Sequence, residues 1–297
     1  MDLRLLRYFV TTVEEGSATR AAQVLHVTQP VLSRQLRELE RRLGLRLFER
    51  EGRRLRLTRA GEDFHQRAGE LLRHADRVER VTRASASGAL EQLHLAVPTT
   101  TLTDVLAPFI ATLDPADPVP ILRGLDPRGS LAAIRSGADL VVVHRPPARS
   151  LAVRPLAVLP VFAYVRPDDR WATRDSIGLA ELVTRPLVVM TEEFRPRMLL
   201  EAALDAAGVA YGEILECTNA QVAQALAAAG RGVAVVSDDS RFDLVPLRID
   251  APAGPILIRL YAAWDPHHHA AAALAAFADR LAAFCVARYG DQVAPAG

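Results

Sequence analysis

Apolar residues at Leu3, Leu6, Val10 and Val13 recur at helical spacing and stop at Gly16, which predicts a first helix closed by a glycine. Ser17 is placed to cap a second helix, whose Ala18, Ala21 and Ala22 leave room for a close neighbour. Only His26 and Val27 precede Thr28, which can cap a third helix with Pro30 in its first turn, where no backbone donor is missed. On that helix Leu32, Leu36, Leu39 and Leu43 follow i, i+4, i+7, i+11 and face inward, leaving Gln29, Ser33 and Arg37 on the opposite side with Arg34 beside them.

Two helices joined by so short a turn predict a helix-turn-helix whose second helix enters the major groove of double-stranded DNA. The outward residue types suit groove reading, since Gln pairs with adenine, Arg with guanine, and a serine hydroxyl or the helix N-terminus holds a phosphate. The same face also fits a solvated surface tied by Arg34–Glu38 and Glu38–Arg42 pairs. The next residues favour DNA. "LRLFEREGRRLRLT", 45–58, predicts two short strands around Glu51-Gly52 with Arg50, Arg53, Arg54 and Arg56 clustered as a basic wing. From Thr58 to about Ser87, Phe64, Ala68, Leu71, Ala75, Val78 and Thr82 follow a coiled-coil seam, which predicts a homodimer.

After "ASASGALEQ", apolar runs alternate with helical segments. Strands are expected at 93–97, 119–122, 139–143, 186–190, 213–217 and 233–236, and helices near 103–113, 130–136, 196–207 and 221–229. That alternation predicts an α/β fold with parallel sheet. "LAVLPVFAYVRP" and "PILIRLYAAW" are long enough to cross between two lobes, and a closing helix near 270–289 would return to the first. The expected layout is a winged helix-turn-helix at 1–58, a linker helix for dimerisation at 59–89, and a two-lobed domain at 90–297. Its lobe I takes about 90–160 and 266–290, and its lobe II about 161–265.

With 297 residues and 50% apolar composition, about two domains with real cores are expected. No apolar stretch approaches the ~18 residues of a membrane span, and "MDLRLLRYFVTTVEEG" lacks the pattern of a secretory signal, so a cytoplasmic location without membrane association is expected. The net charge of +1 conceals a division: residues 1–90 hold 18 Arg against 12 acids, and residues 91–297 hold 18 Arg against 23. A basic N-terminal module on an acidic body points to a polyanion at one end only.

Every basic residue is arginine, which excludes lysine chemistry such as a Schiff base or a phosphate-loop amine. Cys217 and Cys285 match neither a disulfide framework nor zinc spacing and read as buried thiols. His267, His268 and His269 are adjacent and do not easily converge on one ion, so no metal or other cofactor is expected. No nucleophile elbow, metalloprotease motif, phosphate loop or dinucleotide fingerprint occurs in a suitable context, so no catalytic residues are expected and the chain does not read as an enzyme.

The motifs Ala21-Ala22, Thr28-Gln29-Pro30, Ser33-Arg34-Gln35, Leu39-Glu40, Leu47-Phe48-Glu49-Arg50 and Leu57-Thr58-Arg59-Ala60-Gly61 stand in register over about 60 residues. This segment strongly resembles the N-terminal module of the LysR-type transcriptional regulators. The resemblance implies DNA contacts at Thr28, Gln29, Pro30, Ser33, Arg34 and, in the wing, Arg53; the helix-face reading adds Arg37. It also implies a C-terminal effector domain similar to periplasmic binding proteins, with a small-molecule cleft at the hinge, and assembly as a homodimer or a dimer of dimers. "LAAIRSGADLVVV" and "VAQALAAAGRGVAVVS" look like recurring pieces of that domain. By comparison with the family, effector-contacting positions fall on Thr99, Thr100, Ser130, Phe194, Arg195, Ala220, Val236 and Ser237. Hydroxyls at helix starts together with Arg195 suit a small carboxylate. Competing structural readings are a helix cap and part of the first turn for the threonine triplet, a surface ion pair of Arg195 with Glu192 or Glu193, and a structural His144.

Overall fold

A computed structural model describes residues 2–51, 54–87, 90–125, 130–147 and 149–295, and their side chains except at 50–51, 54–55, 77, 79–87 and 130. Contacts divide the chain into two compact units, the first built on Met1–Gly88 and the second on Ala89–Ile134 and Ala138–Gly297.

In the first unit, α1 (Leu3–Glu15), α2 (Ala18–Val24) and α3 (Gln29–Leu43) pack around Leu6, Phe9, Ala21, Leu32 and Leu39. Gly16 at φ 60° ends α1, and the Ser17 hydroxyl caps α2 by accepting from the Arg20 N–H at 3.5 Å. Thr28 holds the cap position of α3, but its hydroxyl makes no capping hydrogen bond there. His26, at φ 53°, makes the reversal between α2 and α3. Strands β1 (Phe48–Glu51) and β2 (Arg54–Leu57) pair antiparallel, Phe48 opposite Leu57.

The wing is fastened to α3 by one carboxylate: Glu40 Oε1 accepts from the Leu47 N–H at 2.8 Å and the Phe48 N–H at 3.1 Å. Glu40→Ala leaves the donors of buried Leu47 and half-buried Phe48 without their acceptor and is expected to cost about 1–2 kcal/mol, read as a lower urea midpoint with unchanged slope. Gly61 opens the following helix against the Leu47 carbonyl, where a Cβ would collide.

Helix α4 (Arg59–Ser87) divides the expected seam positions between the unit's own core and the surface. Ala68 and Leu72 are buried in the helix-turn-helix core, with Phe64 packed against it, whereas Leu71 and Val78 stay exposed. Positions 64, 68 and 72 advance by four residues and keep one face, so the early seam positions serve the unit's own core. Phe9 joins the parts, its ring centroid 5.3 Å from Phe48 and 5.2 Å from Phe64.

The second unit contains two mixed sheets. The five-stranded sheet has the order β4 (Val119–Gly124), β3 (Gln92–Val97), β5 (Leu140–Val143), β14 (Leu257–Trp264), β6 (Ala152–Pro160). The other runs β10 (Ile214–Cys217), β9 (Leu187–Met190), β11 (Val233–Val236), β7 (Phe162–Val165), β12 (Val245–Ala251), β13 (Gly254–Pro255), with β8 (Ser176–Gly178) on β12. Strands that alternate with helices pair parallel, as the α/β pattern predicts; the crossing strands β6, β7 and β14 pair antiparallel, and β12 is antiparallel to β7 and parallel to β8, which makes the sheets mixed. Between the sheets the Val161 N–H donates to the Ile256 carbonyl at 2.8 Å, so the two crossings are bonded at the hinge.

The first helical run of this unit covers 99–110 and contains a π-turn at Leu102–Leu106. Pro108 has no N–H to give the Asp104 carbonyl, and the Tyr289 hydroxyl from α11 (Ala271–Tyr289) donates to that oxygen at 2.9 Å instead. The turn that holds Asp104 is thus set by a missing backbone donor.

Candidate functional site

On α3, Leu32, Leu36 and Leu39 are buried, while Thr28, Gln29, Pro30, Arg34 and Arg37 are exposed and Ser33 is half-buried. Gln29 Nε2 donates to Ser33 Oγ at 2.9 Å, and Arg37 Nε donates to the Ser33 carbonyl at 3.3 Å. Glu38 turns to Arg42, 2.6 Å away, and to Arg41, and these hydrogen bonds, Arg42's first, hold its carboxyl below the usual range. The Arg34–Glu38 pair of the solvated-face reading is therefore not formed, and Arg34 has no ion pair among the described residues. Arg53 lies outside the described residues; Arg56 of β2 is exposed.

In the second unit, the residues after β3, the cap residue of α9 (Arg195–Ala207) and the start of α10 (Ala220–Ala228) line a recess of about 30 Å³, to whose lining Arg195 itself does not contribute. Thr99, Thr100, Phe194, Asn219, Ala220 and Asp238 line it. The cap position of the 99–110 helix is Pro98 and Thr99–Thr101 form its first turn, so the structural reading of the triplet holds for the first turn and fails for the cap. Thr101 Oγ1 sits 3.3 Å from His144 Nε2, and no bond among the described residues uses the Thr99 or Thr100 hydroxyl. Ala220 is buried, and Val236 is buried in an apolar cluster, so the end of β11 offers the cleft Ser237. Ser130 begins α7 (Ser130–Arg135), and its side chain lies outside the described ones.

Arg195 opens α9 after Phe194, which supplies no side-chain cap, and its Nε is buried without a hydrogen-bond partner. It makes no ion pair with Glu192 or Glu193 among the described residues. Burial and the nearby charge of Arg145 lower its pKa. Arg145 in turn reaches α9 through Met198 Sδ at 3.4 Å. His144 feels the same field: burial first, then Arg195, push its pKa down to about 4. Two arginines and a neutral imidazole converge where a negative charge would relieve them.

A larger cavity of about 440 Å³ adjoins, its lining including Thr100, Thr101, His144 and Ser237, with apolar walls from Val105, Leu159, Phe162, Ile258 and Leu260. Four acids, Asp104, Asp175, Asp238 and Asp239, also border it; sequence periodicity gave no sign of them beyond the run "SDDS" after β11. Asp104, 7% exposed, is ion-paired to Arg241 and accepts from the Asp239 N–H at 2.9 Å. Asp239 is paired with Arg288 at 2.7 Å. Asp238 is 5% exposed, and its Oδ2 is buried with no partner. Burial above all, then the Asp104 charge, push its carboxyl up to about 7, against the lowering pull of Arg241. The Tyr164 hydroxyl donates to the Asp238 carbonyl, fixing the backbone there.

Other candidates are structural. His268 is buried 3.2 Å from Asp139, whose other oxygen accepts from the His94 N–H at 2.8 Å. Among the described residues no group of three or more His, Cys, Asp or Glu could hold a metal. Burial raises both thiols, Cys285 to about 11, which disfavours the reactive thiolate. No described helix is long and apolar enough to cross a membrane.

Comparisons with known proteins give the context. A family model described as a bacterial regulatory helix-turn-helix protein, lysR family, matches residues 3–62, and the LysR substrate binding domain matches residues 86–285. The chain is 30% identical over 246 residues to the RuBisCO operon transcriptional regulator of Allochromatium vinosum, covering 80% of each chain. To the HTH-type transcriptional regulator TfdS of Cupriavidus pinatubonensis it is 32% identical over 244 residues, covering 80% of this chain and 82% of that one. In fold it is similar to full-length CbnR solved with its target DNA, with TM-score 0.71 and 24% identity over 96% of this chain and 100% of that one.

Proposed function

The chain belongs to the LysR-type family of DNA-binding transcriptional regulators, with a helix-turn-helix and an effector-binding domain, and is not an enzyme; on that premise we propose that a small carboxylate in the cleft controls its grip on DNA. In this reading Gln29, Ser33 and Arg34 meet base edges, and Thr28, Pro30, Arg37 and Arg53 approach the backbone of double-stranded DNA, in the cytoplasm. The chain acts as a homodimer or dimer of dimers, with the exposed Leu71 of α4 in the pairing face. No cofactor is required.

The observation that carries the effector assignment is Arg195: its Nε is buried without a partner, at the start of a helix whose cap residue offers no side-chain bond, in the field of Arg145. An anion there gains charge-assisted hydrogen bonds and the helix N-terminus, with the free hydroxyls of Thr99 and Thr100 near the same cleft. Arg145 follows a strand of one sheet and Arg195 a strand of the other, so an anion held by both favours one lobe arrangement by its differential affinity.

The test is a thermal-shift screen of small carboxylates, followed by operator binding with and without the hit. A carboxylate at 100 times its dissociation constant raises stability by about 2.7 kcal/mol. Arg195→Ala is expected to abolish both the stabilisation and the change in operator affinity; an undiminished response in the variant would sink the assignment.

A further inference from the structure

The acids around the larger cavity are not equivalent. Asp104 and Asp239 have their own arginines, Arg241 and Arg288. Asp238 has no ion pair among the described residues, its Oδ2 has no hydrogen-bond partner, and the residue is only 5% exposed. A carboxylate in that state is costly unless something arrives to satisfy it. It also borders both spaces: the recess with Thr99, Thr100 and Phe194, and the 440 Å³ cavity.

We propose that the effector is a zwitterion, an amino acid with an apolar side chain, whose protonated amine is bound by Asp238 while its carboxylate is held at Arg195. This rests on the anion reading above and adds a second pole to it. The placement follows the chemistry of the walls. Asp238 borders both the recess and the cavity, and Phe194, the residue before Arg195, lines the recess with it. Beyond it, Val105, Leu159, Phe162 and Ile258 give the side chain apolar walls, in a cavity that Asp104, Asp175 and Asp239 also border and whose size suits a small ligand. Burial, then Asp104, push the Asp238 carboxyl up to about 7, and a bound ammonium favours its charged form.

The test uses the full-length protein, thermal shift and calorimetry, with the common α-amino acids as probes. The matched analogues are 3-phenylpropanoate and 4-methylpentanoate, which lack the amine, and 2-phenylethylamine and 3-methylbutylamine, which lack the carboxylate. At least one amino acid is expected to bind about tenfold or more tightly than its analogue without the amine, the scale of a charge-assisted hydrogen bond. Asp238→Asn is expected to erase that preference while keeping the response to the amine-free acid. Because the comparison of analogues is made on the unaltered protein, it stands even if the variant folds poorly.

Amine-free acids binding as well as or better than any amino acid, in an Arg195-dependent way, would overturn the zwitterion and leave the anion reading intact. Amines binding through Asp238 without any need for a carboxylate or Arg195 would keep the cation subsite and overturn the anion reading. If no probe of any class binds, both are overturned.

Discussion

Asp104→Ala is expected to destabilise the effector domain by about 2–4 kcal/mol, which for a unit of this size lowers the melting temperature by roughly 5–15 °C. Asp104 is 7% exposed and does three things at once: it pairs with Arg241, accepts the Asp239 N–H, and presents its own carbonyl to the Tyr289 hydroxyl. The first two go with the side chain. Removing one partner of a fully buried pair costs about 3–5 kcal/mol, but the Arg241 side chain keeps 25% exposure and can partly rehydrate, so the lower range applies. One effect runs the other way. Asp104 is a secondary cause of the raised Asp238 pKa, so its loss relieves a repulsion; burial is the larger cause there, and the relief does not cancel the damage. Asp104→Asn keeps the shape and one acceptor and is expected to fall between. A melting temperature within about 2 °C of the parent for Asp104→Ala would show that the tie is ornamental.

The bond between Asp104 and Arg241 spans 137 positions, and this explains why the sequence did not reveal it. The helix-turn-helix is legible because its information is local: leucines four and three apart, a glycine stop and a cap within 45 residues. The parallel strands are legible as apolar runs such as "LVVV" and "VAVV", buried throughout. Strand β12, "VPLRIDA", alternates between buried and exposed but carries a proline and two charges, so its apolar signal is weak. The seam on α4 was only partly legible. Leu71 and Leu72 are adjacent apolar residues about 100° apart on a helix, and only packing against Phe64 and Ala68 decides which faces inward.

The candidate site divides in the same way. Residues tied to a family motif or a helix start, such as Gln29, Arg34, Thr99 and Arg195, could be named from the chain. Asp238 could not, because nothing about "SDDS" says which of two adjacent aspartates receives an arginine and which is left buried without one. That difference arises only when α11 brings Arg288 to Asp239.

For DNA, Arg34→Ala is expected to weaken binding to the operator by about 1–3 kcal/mol, roughly tenfold to a hundredfold, with a much smaller loss on scrambled DNA. The distinction rests on geometry. Arg34 is exposed in the first turns of α3, on the side away from the buried Leu32, Leu36 and Leu39, and Glu38, its one candidate partner on the helix, is occupied by Arg41 and Arg42. Its guanidinium therefore has no ion pair among the described residues to break before it meets DNA. Arg37 donates to the Ser33 carbonyl and lies a turn further from the helix start, where phosphates are the expected targets. Arg37→Ala should accordingly weaken operator and scrambled DNA alike and reduce the salt slope by about one. Gel-shift titrations of both variants at several salt concentrations separate the roles. A loss for Arg34→Ala that is equal on both DNAs would make it a phosphate contact and move base reading to Gln29 and Ser33, which are joined by a bond of 2.9 Å on the same helix.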